Sequence, residues 1–138
     1  MKEGWHNDDY LILFEGSEAE EKERDYEIDR LLPGHRLLGI VGWDYFLVSD
    51  RENHRVFRVP TIPLILEEKE EWLHELDSGA LKPDERFQGK IKWYVKPIVF
   101  GGDPDLGPNL VWISHEDHVQ CVKYWNQIYS QIVPKQSE

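Results

Sequence analysis

Two histidines three positions apart, His115 and His118, with Glu116 and Asp117 between them, are the side chains of this sequence best suited to hold a metal. Zinc-binding helices of the metalloprotease kind place two imidazoles at i and i+4, one helical turn apart, with a glutamate as the base. A spacing of three can also share a metal, as in the Glu-x-x-His pairs of carboxylate bundles, but those sites draw further ligands from other helices. A small metal-assisted hydrolase using His115, His118 and a carboxylate such as Asp103 is therefore one reading of the chain. In the other, Glu116 and Asp117 favour a helix N-terminus through the macrodipole, and both histidines are ordinary first-turn residues. The pattern fits the second reading better, and no metal or other cofactor is expected.

Three further features have residue types that could do chemistry. The turn Gly101-Gly102-Asp103-Pro104 has the glycines of a phosphate-cradling loop, but a full strand separates it from the next helix, and Asp103 and Asp105 repel phosphate. A structural turn is the better reading. Asp44 lies in the apolar run Trp43 to Val48; as a general acid it would need a partner and a pocket, and otherwise it is an edge or turn-proximal residue. Cys121, the single cysteine, excludes an internal disulfide, and its place in an apolar helical stripe predicts an inert thiol. No catalytic set emerges, and the protein is expected not to be an enzyme.

The elements that must position these residues follow from periodicity. Tyr10 to Phe14 is an apolar run suited to a buried strand. From 17 to 30 the chain is densely acidic, with Glu18, Glu20, Glu21, Glu23 and Asp25; Ser17 and Glu20 have capping-box spacing, yet few apolar residues anchor a helix, so helix and mobile loop both stay open. After the Pro33-Gly34 turn, Leu37 to Val41, Trp43 to Val48 and Arg55 to Val59 predict an antiparallel meander. Glu67 to Leu76 has a helical pattern. Ile91 to Phe100 is strand-like but broken by Pro97, and Val111 to Ile113 is a last short strand. The clearest element is an amphipathic helix over 115–133, capped at Ser114 and ended by Pro134.

These elements predict an α+β fold over residues 1–138 as a single domain: an antiparallel, twisted sheet of about five or six strands with helices mainly on one face. The 27 acidic residues against 16 basic ones give a net charge of −11. Such a balance repels phosphate backbones and anionic lipid, so neither nucleic acid nor membrane is an expected partner. It steers toward a basic protein instead. The absence of a signal-like start and of a run of about 20 apolar residues points to the cytoplasm. The strand Lys90-Ile91-Lys92-Trp93-Tyr94-Val95-Lys96 interleaves lysines with aromatics; beside so acidic a chain it reads as a partly exposed protein-binding strand rather than a base-stacking one. An adaptor domain in which this strand pairs with a neighbour's sheet edge is a third reading, and the chain is expected to be a monomer or weak homodimer.

The stretch Leu32-Pro33-Gly34-His35-Arg36-Leu37-Leu38-Gly39-Ile40-Val41-Gly42-Trp43-Asp44-Tyr45-Phe46-Leu47-Val48, continuing through His54-Arg55-Val56-Phe57 within residues 32–59, resembles the central hairpin of the SUKH superfamily. A glycine-bearing strand, an acidic residue before an apolar strand, a polar turn and a Val-aromatic strand come in that order. Many members are bacterial immunity proteins that bind and neutralise a cognate toxin, often a nuclease. The resemblance implies an immunity-type protein that occludes the active site of a basic toxin domain. Glu18, Glu20, Glu21, Glu23 and Asp25, with Asp103 and Asp105 on the long turn, are the candidate contacts, since carboxylates can occupy positions a nuclease reserves for phosphates.

Overall fold

A computed structural model of the chain describes residues 1–72, 81–96, 100–102 and 109–136, with side chains through Gln131. Six strands form one antiparallel meander in chain order: β1 (Lys2–His6), β2 (Asp9–Leu13), β3 (His35–Val41), β4 (Tyr45–Asp50), β5 (Val56–Pro60) and β6 (Glu70–Glu71). Two helices, α1 (Ser17–Asp25) and α2 (Ile28–Leu31), lie between β2 and β3. A separate two-stranded sheet, β7 (Ile91–Tyr94) with β8 (Leu110–Ile113), precedes the long helix α3 (His115–Gln136). The architecture is α+β, as the periodicity predicts.

Alternation along the strands divides the sheet into two faces. Tyr10, Ile12, Ile40, Phe46, Val48 and Val59 face a core completed by Tyr26, Ile28, Ile91, Trp93, Val119 and Val122. That core receives side chains from the α1–α2 segment, β7 and α3, so the helices sit on this face. On the opposite face Leu11, Leu13, Val41 and Leu47 pack with Trp72, and Leu81 lies against them. The β3–β4 register shifts between Leu37 and Gly39. This bulge returns Leu37 to the helix-covered core and turns Leu38 to the other face.

Several elements differ from expectation. Residues 67–72 form no α-helix: Leu66–Glu68 is a single 3-10 turn, Glu70–Glu71 pairs with Arg58 and Phe57, and the Trp72 N–H donates to the Val56 carbonyl at 2.8 Å. Cross-strand ion pairs, Arg58 with Glu70 and Arg55 with Glu71, favour the extended form over a solvated helix face. The remainder of the expected helix, 73–76, falls outside the described residues. β1 was not anticipated; it pairs with β2 in a hairpin turning at Asn7-Asp8. Trp43 and Asp44 lie in a turn rather than a strand, with Gly42 and Trp43 at φ 56° and 64°. No side chain caps α1, whose N-cap position is Gly16 rather than Ser17, so the expected capping box does not form. The β7 strand ends at Tyr94, short of the expected Phe100, and α3 runs past Pro134 to Gln136. A proline this close to a helix end costs the ladder one bond of the last turn. Among the described residues no helix is long and apolar enough to cross a membrane.

Gly39 shows how tightly β2 and β3 approach at the bulge. A Cβ there would lie 2.1 Å from the Ile12 carbonyl oxygen, which is backbone and cannot rotate away. Gly39→Ala is expected to destabilise the protein by about 1–3 kcal/mol, read as a lower urea midpoint with an unchanged m-value.

Candidate partner-binding site

α1 is acidic at nearly every other position and buries none of its own residues. What holds it in place lies beyond its end and along one flank. Tyr26, its C-terminal cap, is fully buried and forms an edge-on contact with Phe46, the ring centroids 4.8 Å apart. Its hydroxyl meets Nδ1 of His118 at 2.6 Å, joining residues 92 positions apart. On the flank, Glu23 accepts from the Leu37 N–H at 2.8 Å, on the stretch of β3 that β2 does not cover, and from Arg51 at 3.2 Å.

His118 occupies the first turn of α3, where Ser114 acts as the predicted cap: its Oγ accepts from the Asp117 N–H at 3.1 Å. The imidazole is buried among Tyr26, Phe46 and Trp93, with the Trp93 centroid 5.3 Å away. Burial, with His115 and Lys22 adding like charge, pulls His118 down to about 3, so the ring is neutral at physiological pH. Burial, with Asp25 nearby, raises Tyr26 far above the usual phenol range. The bond therefore joins two neutral groups, while Nε2 of His118, also buried, finds no hydrogen-bond partner among the described residues.

This contact brings the two helices together around a groove of about 470 Å³, lined by Glu21, Lys22 and Asp25 from α1 and by His115, Glu116 and Lys123 from α3. The His115 ring nitrogens are shielded from solvent and have no hydrogen-bond partner. Burial lowers the His115 pKa and Lys22 lowers it further, against an opposing pull from Glu18. The groove thus has three carboxylates at its walls around an imidazole held toward its neutral form.

The acidic residues singled out in the sequence divide by role. Glu18 pairs with the N-terminal ammonium at 3.0 Å, and Glu23 is tied to β3 and Arg51. Glu20 and Glu21 are exposed, and Asp25 is half-buried at the groove. Asp103 and Asp105 lie outside the described residues. Glu116 joins Glu21 and Asp25, although its sequence position marks it only as a first-turn residue. The signal that would have found it is the docking of α3 against α1, which no local pattern encodes.

Among the described residues no group of three or more His, Cys, Asp or Glu could hold a metal. His118 and His115 diverge in surroundings: one ring is in the core against Tyr26, the other borders the groove. The Cys121 thiol is half-buried, and burial with Asp117 pushes its pKa up, which leaves it a poor nucleophile. Elsewhere, the structure joins two features that the sequence presents separately. Lys92 of the lysine–aromatic strand lies 3.5 Å from Asp44 and above the rings of Trp43 and Tyr94. Burial raises the Asp44 pKa and Lys92 opposes it. This is an ion pair seated on aromatics, and it fastens the β3–β4 turn to β7.

Comparison of the chain with protein-family models, curated proteins and solved structures finds no match.

Removing one partner of the buried bond strands the other. Tyr26→Phe leaves Nδ1 of His118 unpaired in the core and is expected to cost about 1–3 kcal/mol, whereas Tyr26→Phe with His118→Leu costs less than the single change in chemical denaturation. The pH dependence has a definite sign. His118 has a folded pKa near 3 against an ordinary value of about 6.5, so the unfolded chain takes up the proton first. Its contribution is whole above about pH 6.5 and is lost at up to ~1.4 kcal/mol per pH unit as pH falls toward 3. The double variant should lack that component, seen as a shallower acid limb in the difference between the two stability–pH curves.

Proposed function

We propose that this chain is a protein-binding module that engages a basic partner through the acidic surface of α1 and the start of α3. The observation that carries the reading is the groove flanked by Glu21, Asp25 and Glu116, with Glu20 exposed on the flank of α1 that faces β3. Like charges gathered on one surface oppose folding, and a cationic partner relieves that repulsion on binding. A net charge of −11 adds long-range steering, so association is fast and falls with ionic strength.

The more specific form of the proposal is an immunity-type protein that occludes the active site of a basic toxin domain in the cytoplasm. It is supported by the resemblance of residues 32–59 to the central hairpin of the SUKH superfamily and by the carboxylates of α1. In this reading Glu20, Glu21, Asp25 and Glu116 occupy positions that the toxin offers to phosphates. Glu18 and Glu23 act indirectly, by fixing α1 to the N-terminus and to β3.

The test is affinity capture of the tagged protein co-expressed with its genomic neighbour. A single basic protein retained at equal stoichiometry, released by salt and lost with Glu20→Lys, Glu21→Lys and Asp25→Lys combined, is the expected result. Each reversal removes a favourable charge and adds a repulsive one, so the triple variant should bind at least about tenfold more weakly, ~1.4 kcal/mol. Glu67→Lys, Glu68→Lys and Glu85→Lys combined, three reversals at exposed positions outside the groove, serve as the control for net charge alone. Equal loss in both variants would remove the basis for assigning the site to α1.

A further inference from the structure

Among the described residues four strand edges end the two sheets, and they are guarded unequally. β1 is covered by Lys82, which exchanges two backbone hydrogen bonds with Trp5 at 2.8 and 3.1 Å. β6 is two residues long and consists of Glu70 and Glu71. β7 carries Lys92 at its centre, between the flanking Lys90 and Lys96. Charge, shortness and cover are the devices by which natural edges avoid pairing with other chains.

Among the described residues, β8 has neither charge nor cover. Its four residues, Leu110-Val111-Trp112-Ile113, contain no charge and no proline, and all belong to types that favour strands or pack apolar surface. Its register with β7 is regular, Ile113 to Ile91, Trp112 to Lys92, Val111 to Trp93 and Leu110 to Tyr94, without a bulge to twist the edge away. Among the described residues no hydrogen bond joins β8 to any strand but β7. Trp112, at the middle of the strand, is 39% exposed although it stacks on Phe87 at 5.0 Å.

We propose that β8 pairs antiparallel with β8 of a second copy of this chain, joining the two small sheets into one of four strands. A two-fold axis perpendicular to the sheet keeps each residue on its own face. Of the registers that satisfy this, the one proposed sets Trp112 opposite Trp112 of the second copy, and Val111 opposite Ile113. These are an aromatic pair and a β-branched pair, the cross-strand combinations that stabilise most. The strand is its own complement because it is uncharged: a copy meets no like charge along the paired edge, whereas β6 and β7 would each oppose their own kind. The exposed Trp112 faces come together and leave water.

Two features limit the strength. Four residues a side bury less than the roughly 1,200–2,000 Å² of stable complexes. Each copy also carries a charge of −11, which opposes approach until salt screens it. The dimer is therefore weak, favoured by concentration and by salt. That salt dependence is opposite in sign to the one expected for a basic partner at α1, so the two interactions are separable in a single titration.

The experiment is sedimentation equilibrium of the full chain across protein concentration at low and high salt. The expected result is an average mass rising from the monomer's 16.4 kDa toward twice that value, with a larger rise in high salt. Trp112→Lys should hold the mass at the monomer value, and Trp112→Tyr, which keeps an aromatic strand former, should retain association. A wild-type mass that stays monomeric throughout overturns the proposal, as does a dimer that Trp112→Lys leaves unchanged. Because Trp112 stacks on Phe87, the lysine variant is checked for its fold by circular dichroism. If it is unfolded, amide exchange of the wild type decides: β8 protection that rises with protein concentration supports the pairing, and constant protection refutes it.

Discussion

A single buried hydrogen bond, Tyr26 to His118, carries the relation between the two ends of this chain. It closes the acidic segment 17–31 onto the start of α3 across the aromatic core of Phe46 and Trp93. Both groups are neutral there, because burial disfavours the imidazolium and the phenolate alike. The bond matters because α1 buries none of its residues fully, and its one apolar residue, Ala19, packs only half-buried against the core. A helix with so little hydrophobic anchorage is marginal in isolation, so its position depends on Tyr26, on Ile28 just beyond it, and on Glu23 bonded to the open stretch of β3.

That arrangement explains how the fold tolerates a face crowded with carboxylates. Glu18 and Glu23 are neutralised by the N-terminal ammonium and Arg51, and Lys22 and Lys123 stand within the groove. What remains is an exposed acidic surface on a rigid support, with its charges held by contacts that lie beneath it. The Tyr26–His118 bond beneath the surface is neutral and buried, and the carboxylates without an anchoring partner face outward. Such a division is what a recognition surface for cations requires, since binding then relieves repulsion without disturbing the core.

Much of this fold was legible in the sequence because its signals are local. The period of two through 37–59 gave the meander, and Ser114 with the stripe Val122, Trp125, Ile128, Tyr129 gave α3 and its cap. The misses have physical causes of longer range. The pattern at 67–72 is helical in spacing, but Arg55 and Arg58 on β5 draw Glu71 and Glu70 into a strand, and nothing local records that. Trp43 sits at φ 64°, where a bulky residue is disfavoured, because stacking on Tyr10 and packing on Phe87 and Trp112 hold it there. At the site, the acids of α1 were visible and their separation into anchoring and exposed members was not. That separation depends on where β2 stops along β3, and on a bulge that redirects Leu37.

The surface made by α1 and the start of α3 is the proposed seat of a basic partner. Amide hydrogen exchange of the chain, free and in complex with the basic protein it retains, addresses this without any substitution. Added protection is expected over Glu20 to Asp25 and over Glu116 to Gln120, with β5 and β6 unchanged. Protection confined to strands remote from that groove, with α1 exchanging as it does in the free protein, would contradict it.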